Sequence, residues 1–333
     1  MRVGLPSALL NPFYSVFWRI FFTELGVEVV ESGPTTKSVL DKGVRHSVPE
    51  ICIPIKIYTG HVQELLDRGV DLVYIPRFVS IRRGDTFCPK FLALPDMLKC
   101  TIPDLSGRML THHLTSRNDD IATLSNYQEI GARFTSNPNR IKAAIHAARD
   151  QWLEFRRLCY SRDYNCQTAN AKLAGGKDLK TAPHPVRIGV IGYVYNVYDG
   201  FISMDILQRL TNLGVRPVTF EMLDENELRG KLRRDPKDLF WTFSNKLWAA
   251  ANMFFEDPAI TGVIHVTAFG CGPDSFLGKV LALEALKYNK PFLTVRVDEH
   301  TGESHLQTRI EAFTDMILKK SPESVYSKTE RIS

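Results

Sequence analysis

The chain opens twice in the same way, and that repeat limits its architecture more than any other feature. Its first residues read MRVGLPSALLNPFYSVFWRIFFTELGVEVVES, and from Val186 it reads VRIGVIGYVYNVYDGFISMDILQRLTNLGVRPVTF. Both copies run through a basic-apolar-Gly strand, a loop with Asn and Tyr, an amphipathic helix, a Leu-Gly stop and a second strand. In the first helix Phe17, Phe21 and Leu25 share a face. In the second Ile206, Leu210 and Leu213 do so. Gly26 and Gly214 fall where a helix C-terminus takes a left-handed residue. Strand, helix, strand at this spacing is the βαβ unit of a parallel sheet.

Each copy continues in kind. His61 to Arg68 reads as a helix before a strand from Asp71 to Pro76. In the second copy a helix from Asn245 to Phe255 leads to a strand from Gly262 to Ala268. A helix from Phe276 to Tyr288 then leads to a strand from Pro291 to Val297, and a helix from Leu306 to Lys319 follows. The pattern predicts an α/β protein of two Rossmann-like (flavodoxin-like) lobes with parallel sheets. The first lobe spans 1–110, a helical segment and linker spans 111–185, the second lobe spans 186–320, and 321–333 is a polar, frayed tail. Asn139 to Arg157 reads as an amphipathic helix, and the Asn-, Gly-, Lys- and Pro-rich stretch Ser161 to Pro185 reads as an exposed loop.

Composition narrows the function. The net charge of +5 over 333 residues, with no long basic run, argues against nucleic acid. Arg229, Lys231, Arg233 and Arg234 read as a solvated helix face. The apolar stretch Phe13 to Leu25 carries Arg19 and Glu24 and is too short to span a bilayer, and the N-terminus lacks a cleavage signal. The expectation is a cytoplasmic protein. In a reducing compartment its six cysteines point to metal binding or catalysis more than to disulfides.

In open parallel sheets ligands gather beyond the carboxyl ends of the strands. Three groups fall there: Thr86-Phe-Cys88-Pro-Lys-Phe91, Phe269-Gly-Cys271-Gly-Pro-Asp274 and Asp298-Glu-His300-Thr-Gly-Glu303. Cys88 and Cys271 occupy comparable places in the two copies, so both thiols can meet between facing lobes. Cys52, in Pro49-Glu-Ile-Cys-Ile-Pro54, precedes the segment Ile53 to Tyr58 and the helix after it. Proline and glycine beside Cys52, Cys88 and Cys271 suit thiolates that point outward and let a bulky group approach the main chain. Cys100, Cys159 and Cys166 read as space-filling or exposed. No C-x-x-C pair, phosphate-cradling loop or H-E-x-x-H occurs, and Gly189-Val-Ile-Gly192 reads as a tight turn. His112 and His113 read as surface residues of a polar loop, and His265 as a satisfied core histidine.

These cysteine segments resemble a family of proteins related to 2-hydroxyacyl-CoA dehydratases and their activators, often labelled CoA-substrate-specific enzyme activase-related. The matching stretches are Gly4 to Leu9, Phe17 to Phe22, Pro49 to Pro54, Gly60-His61-Val62, Ile75 to Arg77, Phe87 to Leu92 and Leu94 to Met97. In the second lobe they are Phe269 to Ser275, Asp298 to Glu303 and Thr308 to Phe313. The resemblance implies a [4Fe–4S] cluster, or a double cubane, between lobes. It also implies a separate ATPase of actin-like fold that delivers low-potential electrons, and a CoA thioester substrate. On this resemblance Cys52, Cys88 and Cys271 are the ligands, and one iron is left open as a catalytic metal requires. Cys159 and Cys166 lie where the resemblance is thin, so the double cubane is set aside.

Lys56, Arg77 and Lys90 become candidates for groups around the cluster, against the alternative of surface charges. Glu299 and His300 become candidates for proton transfer, against a turn-forming role. Two other readings stay open. One is a metal-free thiol enzyme with Cys271 as nucleophile and His300 as base, since Gly270-Cys271-Gly272 has the layout of a nucleophile elbow. The other is a scaffold subunit without chemistry. A homodimer is the base-rate expectation.

Overall fold

A computed structural model describes residues 1–234, 239–299 and 303–320. The first copy contains β1 (Arg2–Leu5), α1 (Asn11–Glu24), β2 (Glu28–Glu31), α2 (Lys37–Arg45), α3 (Ile53–Asp67) and β3 (Leu72–Tyr74). It continues through β4 (Arg77–Ser80), α4 (Pro89–Leu92), α5 (Leu94–Thr101), β5 (Met109–Leu110) and β6 (His113–Thr115). The connecting region carries α6 (Leu124–Ala132), α7 (Pro138–Tyr160) and α8 (Cys166–Leu173). The second copy holds β7 (Arg187–Ile191), α9 (Val194–Tyr198), α10 (Gly200–Ser203), α11 (Ile206–Asn212), β8 (Arg216–Thr219), α12 (Glu225–Arg234) and α13 (Thr242–Glu256). After these come β9 (Ile260–Ala268), α14 (Gly272–Lys287), β10 (Phe292–Val297) and α15 (Glu303–Lys320).

The two main sheets share one topology. Their strand orders are β2-β1-β3-β5 and β8-β7-β9-β10, and every pairing in both is parallel. The repeat in the sequence is therefore a repeat of fold, two Rossmann-like sheets with helical crossovers. Gly26 and Gly214 both adopt positive φ, +80° and +73°, and end the first crossover helix of each copy.

The two copies differ where their sequences differ. The first crossover helix, α1, is continuous and lined with buried Phe13, Tyr14, Phe17, Trp18, Phe21 and Phe22. Its counterpart is broken into α9, α10 and α11, with Met204 and Asp205 both left-handed at the break. In the first copy β4 follows β3 and pairs with β6 in a separate two-stranded parallel sheet. Cys88 therefore comes after an inserted strand, whereas Cys271 follows β9 almost directly.

Several expectations are corrected. Gly189-Val-Ile-Gly192 is not a turn: Gly189 lies inside β7, where a Cβ would sit 2.5 Å from the Phe254 ring. Ser161 to Pro185 holds α8, whose Cys166 and Ala169 are buried, because Asn165 and Thr168 form a reciprocal capping box. Ile53 to Tyr58 is already helical, so Cys52 stands at the start of α3. His112 is buried and hydrogen bonds to the Tyr74 hydroxyl at 2.7 Å, while His113 stays exposed. Arg229 and Lys231 are half-buried and paired with Asp119 and Glu256. The side chains of Arg233 and Arg234, His300 and the tail from Ser321 lie outside the described residues. None of the described helices is long and apolar enough to cross a membrane.

Candidate functional site

Cys52, Cys88 and Cys271 are each the residue immediately before a helix, those helices being α3, α4 and α14. The local cause is the same in all three. Proline occupies the first or second helical position (Pro54, Pro89, Pro273), where its missing N–H costs nothing. Each cysteine is extended, with φ/ψ of −64°/147°, −62°/154° and −83°/105°; for Cys88 the proline directly after it enforces this. Gly270, at φ +75°, makes the turn that separates β9 from Cys271. None of the three side chains closes a capping hydrogen bond, and all three are half-buried.

The lobes are docked by backbone at this point. Thr242 N–H donates to the Thr86 carbonyl at 3.0 Å, and Thr86 N–H donates to the Phe240 carbonyl at 3.1 Å. The segment carrying Cys88 is thereby fixed against the second lobe. Cys88 and Cys271 line one narrow cavity of about 20 Å³, walled by Phe87, Phe91, Tyr193, Tyr195, Trp241 and Phe243. That volume holds about one water.

The three thiols form one electrostatic group. Burial pushes the Cys88 thiol up; the N–H groups of Phe91 and Lys90 oppose this, and Cys52 adds to the rise. Burial pushes Cys271 up much further, followed by the charge of Asp274, with Cys52 and Cys88 contributing. Buried Tyr195 is raised first by burial and then by all three sulfurs.

Lys56 and Glu299, chosen separately from the sequence, meet here. Lys56 Nζ donates to Glu299 Oε1 at 2.6 Å, joining the first turns of α3 to the segment after β10. Lys90 is half-buried in the helix that starts at Cys88. Arg77 is engaged elsewhere: it hydrogen bonds to the Leu92 carbonyl and pairs with Asp96 at 2.8 Å, pinning α4 and α5 to β4.

A second link between the lobes has no counterpart in the sequence reading. Thr35 Oγ1 donates to Asp199 Oδ2 at 2.5 Å and lies 2.9 Å from His61 Nε2. Burial lowers His61 to about 4 and raises Asp199. Also unforeseen are the aromatic wall and the pairing of His265 with Asp274. The proximity of Asp274 to Cys271 was readable as Cys-Gly-Pro-Asp; its partner, on another element, was not.

Among the described residues, no group of three or more His, Cys, Asp or Glu side chains is close enough to hold a single metal ion. Three cysteine side chains are the donor type that iron–sulfur clusters take.

A family model described as CoA enzyme activase uncharacterised domain matches residues 2–223. The chain belongs to this family. The match covers the first sheet, the connecting helices and the first two strands of the second sheet, and so includes Cys52 and Cys88 but not Cys271. No curated protein matches the chain.

Proposed function

We propose that this CoA enzyme activase-domain protein holds a [4Fe–4S] cluster on Cys52, Cys88 and Cys271 between its lobes. It accepts low-potential electrons from a separate ATP-dependent activator of actin-like fold. It uses them in reductive or dehydratase-type chemistry, with a CoA thioester as the substrate class. What supports the reading is that Cys88 and Cys271, at helix starts in the two lobes, line one cavity, with Cys52 at a third helix start as a weaker charge neighbour of both. Such a cluster, when bound, supplies one-electron transfer and a Lewis-acidic iron.

The remaining roles belong to the chain. Phe87, Phe91, Tyr193, Tyr195, Trp241 and Phe243 keep water from the rear of the site. Lys90 places a positive charge beside Cys88 and favours its thiolate. Glu299 is a quarter exposed and bonded to Lys56, so it can pass a proton between solvent and the cleft while Lys56 holds it in place.

A metal-free thiol enzyme is less well supported. A nucleophilic cysteine needs a lowered pKa, whereas burial and Asp274 push Cys271 the other way. A bound metal would displace that proton outright.

The test is anaerobic purification followed by iron and sulfide assays and a visible spectrum. About four irons per chain with a broad sulfur-to-iron band is expected, and Ala at position 52, 88 or 271 should abolish it. Loss of the cluster in Cys100→Ala or Cys159→Ala instead would overturn the ligand set. A colourless protein inactivated by alkylation of Cys271 would establish the thiol-enzyme reading. One that stays colourless and unreactive after reconstitution would leave a scaffold.

A further inference from the structure

A second cavity, of about 360 Å³, opens where the connecting helices meet the second lobe. Its lining includes Asp119 from the loop before α6, Arg156 from α7, Glu225 and Arg229 from α12 and Lys246 from α13. None of the three cysteines lines it, and the roles above leave it unused. The volume is that of a small-molecule site.

Two of its cations, Arg156 and Lys246, are each only 3% exposed. Lys246 is neutralised: Nζ lies 2.9 Å from Asp119 Oδ1 and 3.1 Å from Glu225 Oε1. Arg229 uses the same two carboxylates, at 3.4 and 3.9 Å, and donates to the Asn118 carbonyl at 2.7 Å. Arg156 is left short. Glu225, its one carboxylate within 4 Å among the described residues, stands at 3.8 Å, beyond hydrogen-bond length. Nη2 donates to the neutral Tyr160 hydroxyl at 3.1 Å, and Nη1 has no hydrogen-bond partner among the described residues. The Phe13 and Tyr160 rings each lie 4.5 Å from its Cζ. They attract the guanidinium without neutralising it.

The inner wall therefore sets three cations against two carboxylates. Charges nearer the mouth are engaged elsewhere. Arg149 pairs with Asp120 at 2.8 Å, Arg157 with Glu154 at 2.6 Å, and Asp224 accepts from the N–H groups of Asn226 and Glu227 in the first turn of α12. A buried cation without a hydrogen-bonded counter-charge is strongly destabilising unless a partner supplies one. The guanidinium fork matches the oxygens of a phosphate or carboxylate, and the cavity is larger than either group alone.

We propose that this cavity binds a small organic anion whose phosphate or carboxylate group supplies the counter-charge that Arg156 lacks, with Arg229 and Lys246 adding to the attraction.

The test uses the full chain and isothermal titration with inorganic phosphate, acetate and glycerol 3-phosphate. Ionic strength is fixed with sodium chloride so that screening stays constant. Saturable binding of at least one probe is expected. Arg156→Gln removes the charge and should weaken that binding by about tenfold or more, the loss of one charge-assisted hydrogen bond. Asp119→Asn withdraws a competing carboxylate and should tighten it severalfold; asparagine accepts the left-handed φ of +64° at that position. Both variants disturb the same ion-pair network, so opposite signs separate binding from stability.

Failure of all three probes to bind the parent overturns the proposal and leaves the network as bracing between elements. So does equal weakening in the two variants, which marks loss of local structure and not of charge. If Arg156→Gln does not fold by circular dichroism, Arg229→Gln makes the same measurement with the same expected direction. None of these outcomes depends on iron content, so the proposal is independent of the cluster.

Discussion

Removing either partner of the Lys56–Glu299 ion pair should have unequal effects, because the two ends differ in their access to water. The Lys56 side chain is 4% exposed and that of Glu299 is 25% exposed, with 2.6 Å between Nζ and Oε1. Lys56 also sits in the first turns of α3, whose helix dipole disfavours a cation. Glu299→Gln therefore strands a buried ammonium, a class of change that costs roughly 3–5 kcal/mol. Lys56→Met strands a carboxylate that water can reach, and the methionine refills the space of the aliphatic stem. Its cost should be about 1 kcal/mol, the scale of a solvent-screened pair. Urea unfolding followed by tryptophan fluorescence and by circular dichroism gives both values. The double variant Lys56→Met/Glu299→Gln should be more stable than Glu299→Gln alone, since it removes the stranded charge. Equal costs for the single variants, or a larger cost for Lys56→Met, would refute the argument from access.

Other perturbations follow from buried groups and close backbone contacts. His61 and His112 are both held near 4 by burial, against about 6.5 in the unfolded chain. Their neutral forms add stability that is complete above pH 6.5 and lost as pH falls toward 4, up to roughly 3 kcal/mol each. His61→Gln and His112→Gln should flatten the acid limb of stability against pH. Glu221 is opposite in sign: burial raises it to about 7, so its favourable contribution is complete below about pH 4.5 and lost as pH rises through 7. Glu221→Gln should then gain stability relative to the parent between pH 5 and 8, which thermal melts across that range would show. Finally, a Cβ on Gly43 would lie 1.8 Å from the Lys56 carbonyl oxygen, and one on Gly60 1.9 Å from that of Val39. Gly43→Ala must separate α2 from α3 and should lower the melting temperature; on the proposed cluster reading it should also lower the iron taken up on reconstitution.

Periodicity made the helices and strands legible, and their repetition made the sheet topology legible. What periodicity could not show was the start of each helix, because proline there looks like a break when it is in fact the first turn. Ile53 to Tyr58, the start of α14 and α8 were all misread or shortened for that reason or for want of a recognised cap. His112 was misplaced because neighbouring polar letters suggest a loop, while its burial depends on Tyr74 from an adjacent strand.

The candidate site divides along the same line. Each cysteine announces itself through its own Pro or Gly neighbours, which are local in sequence. The contacts that give each one its environment are not local: Thr86 with Phe240 and Thr242, Lys56 with Glu299, Thr35 with Asp199, and His265 with Asp274 across a strand–helix junction. The repeat explains why these contacts gather where they do. In both sheets the third strand is followed by a cysteine and a helix start, so facing the two sheets brings Cys88 and Cys271 together. The helix before the third strand begins at Cys52 in one copy and after Trp241 in the other. One copy therefore supplies a third thiol where the other supplies an aromatic wall. The two copies agree at the position after the third strand and differ at the helix before it, so the third thiol comes from one copy alone.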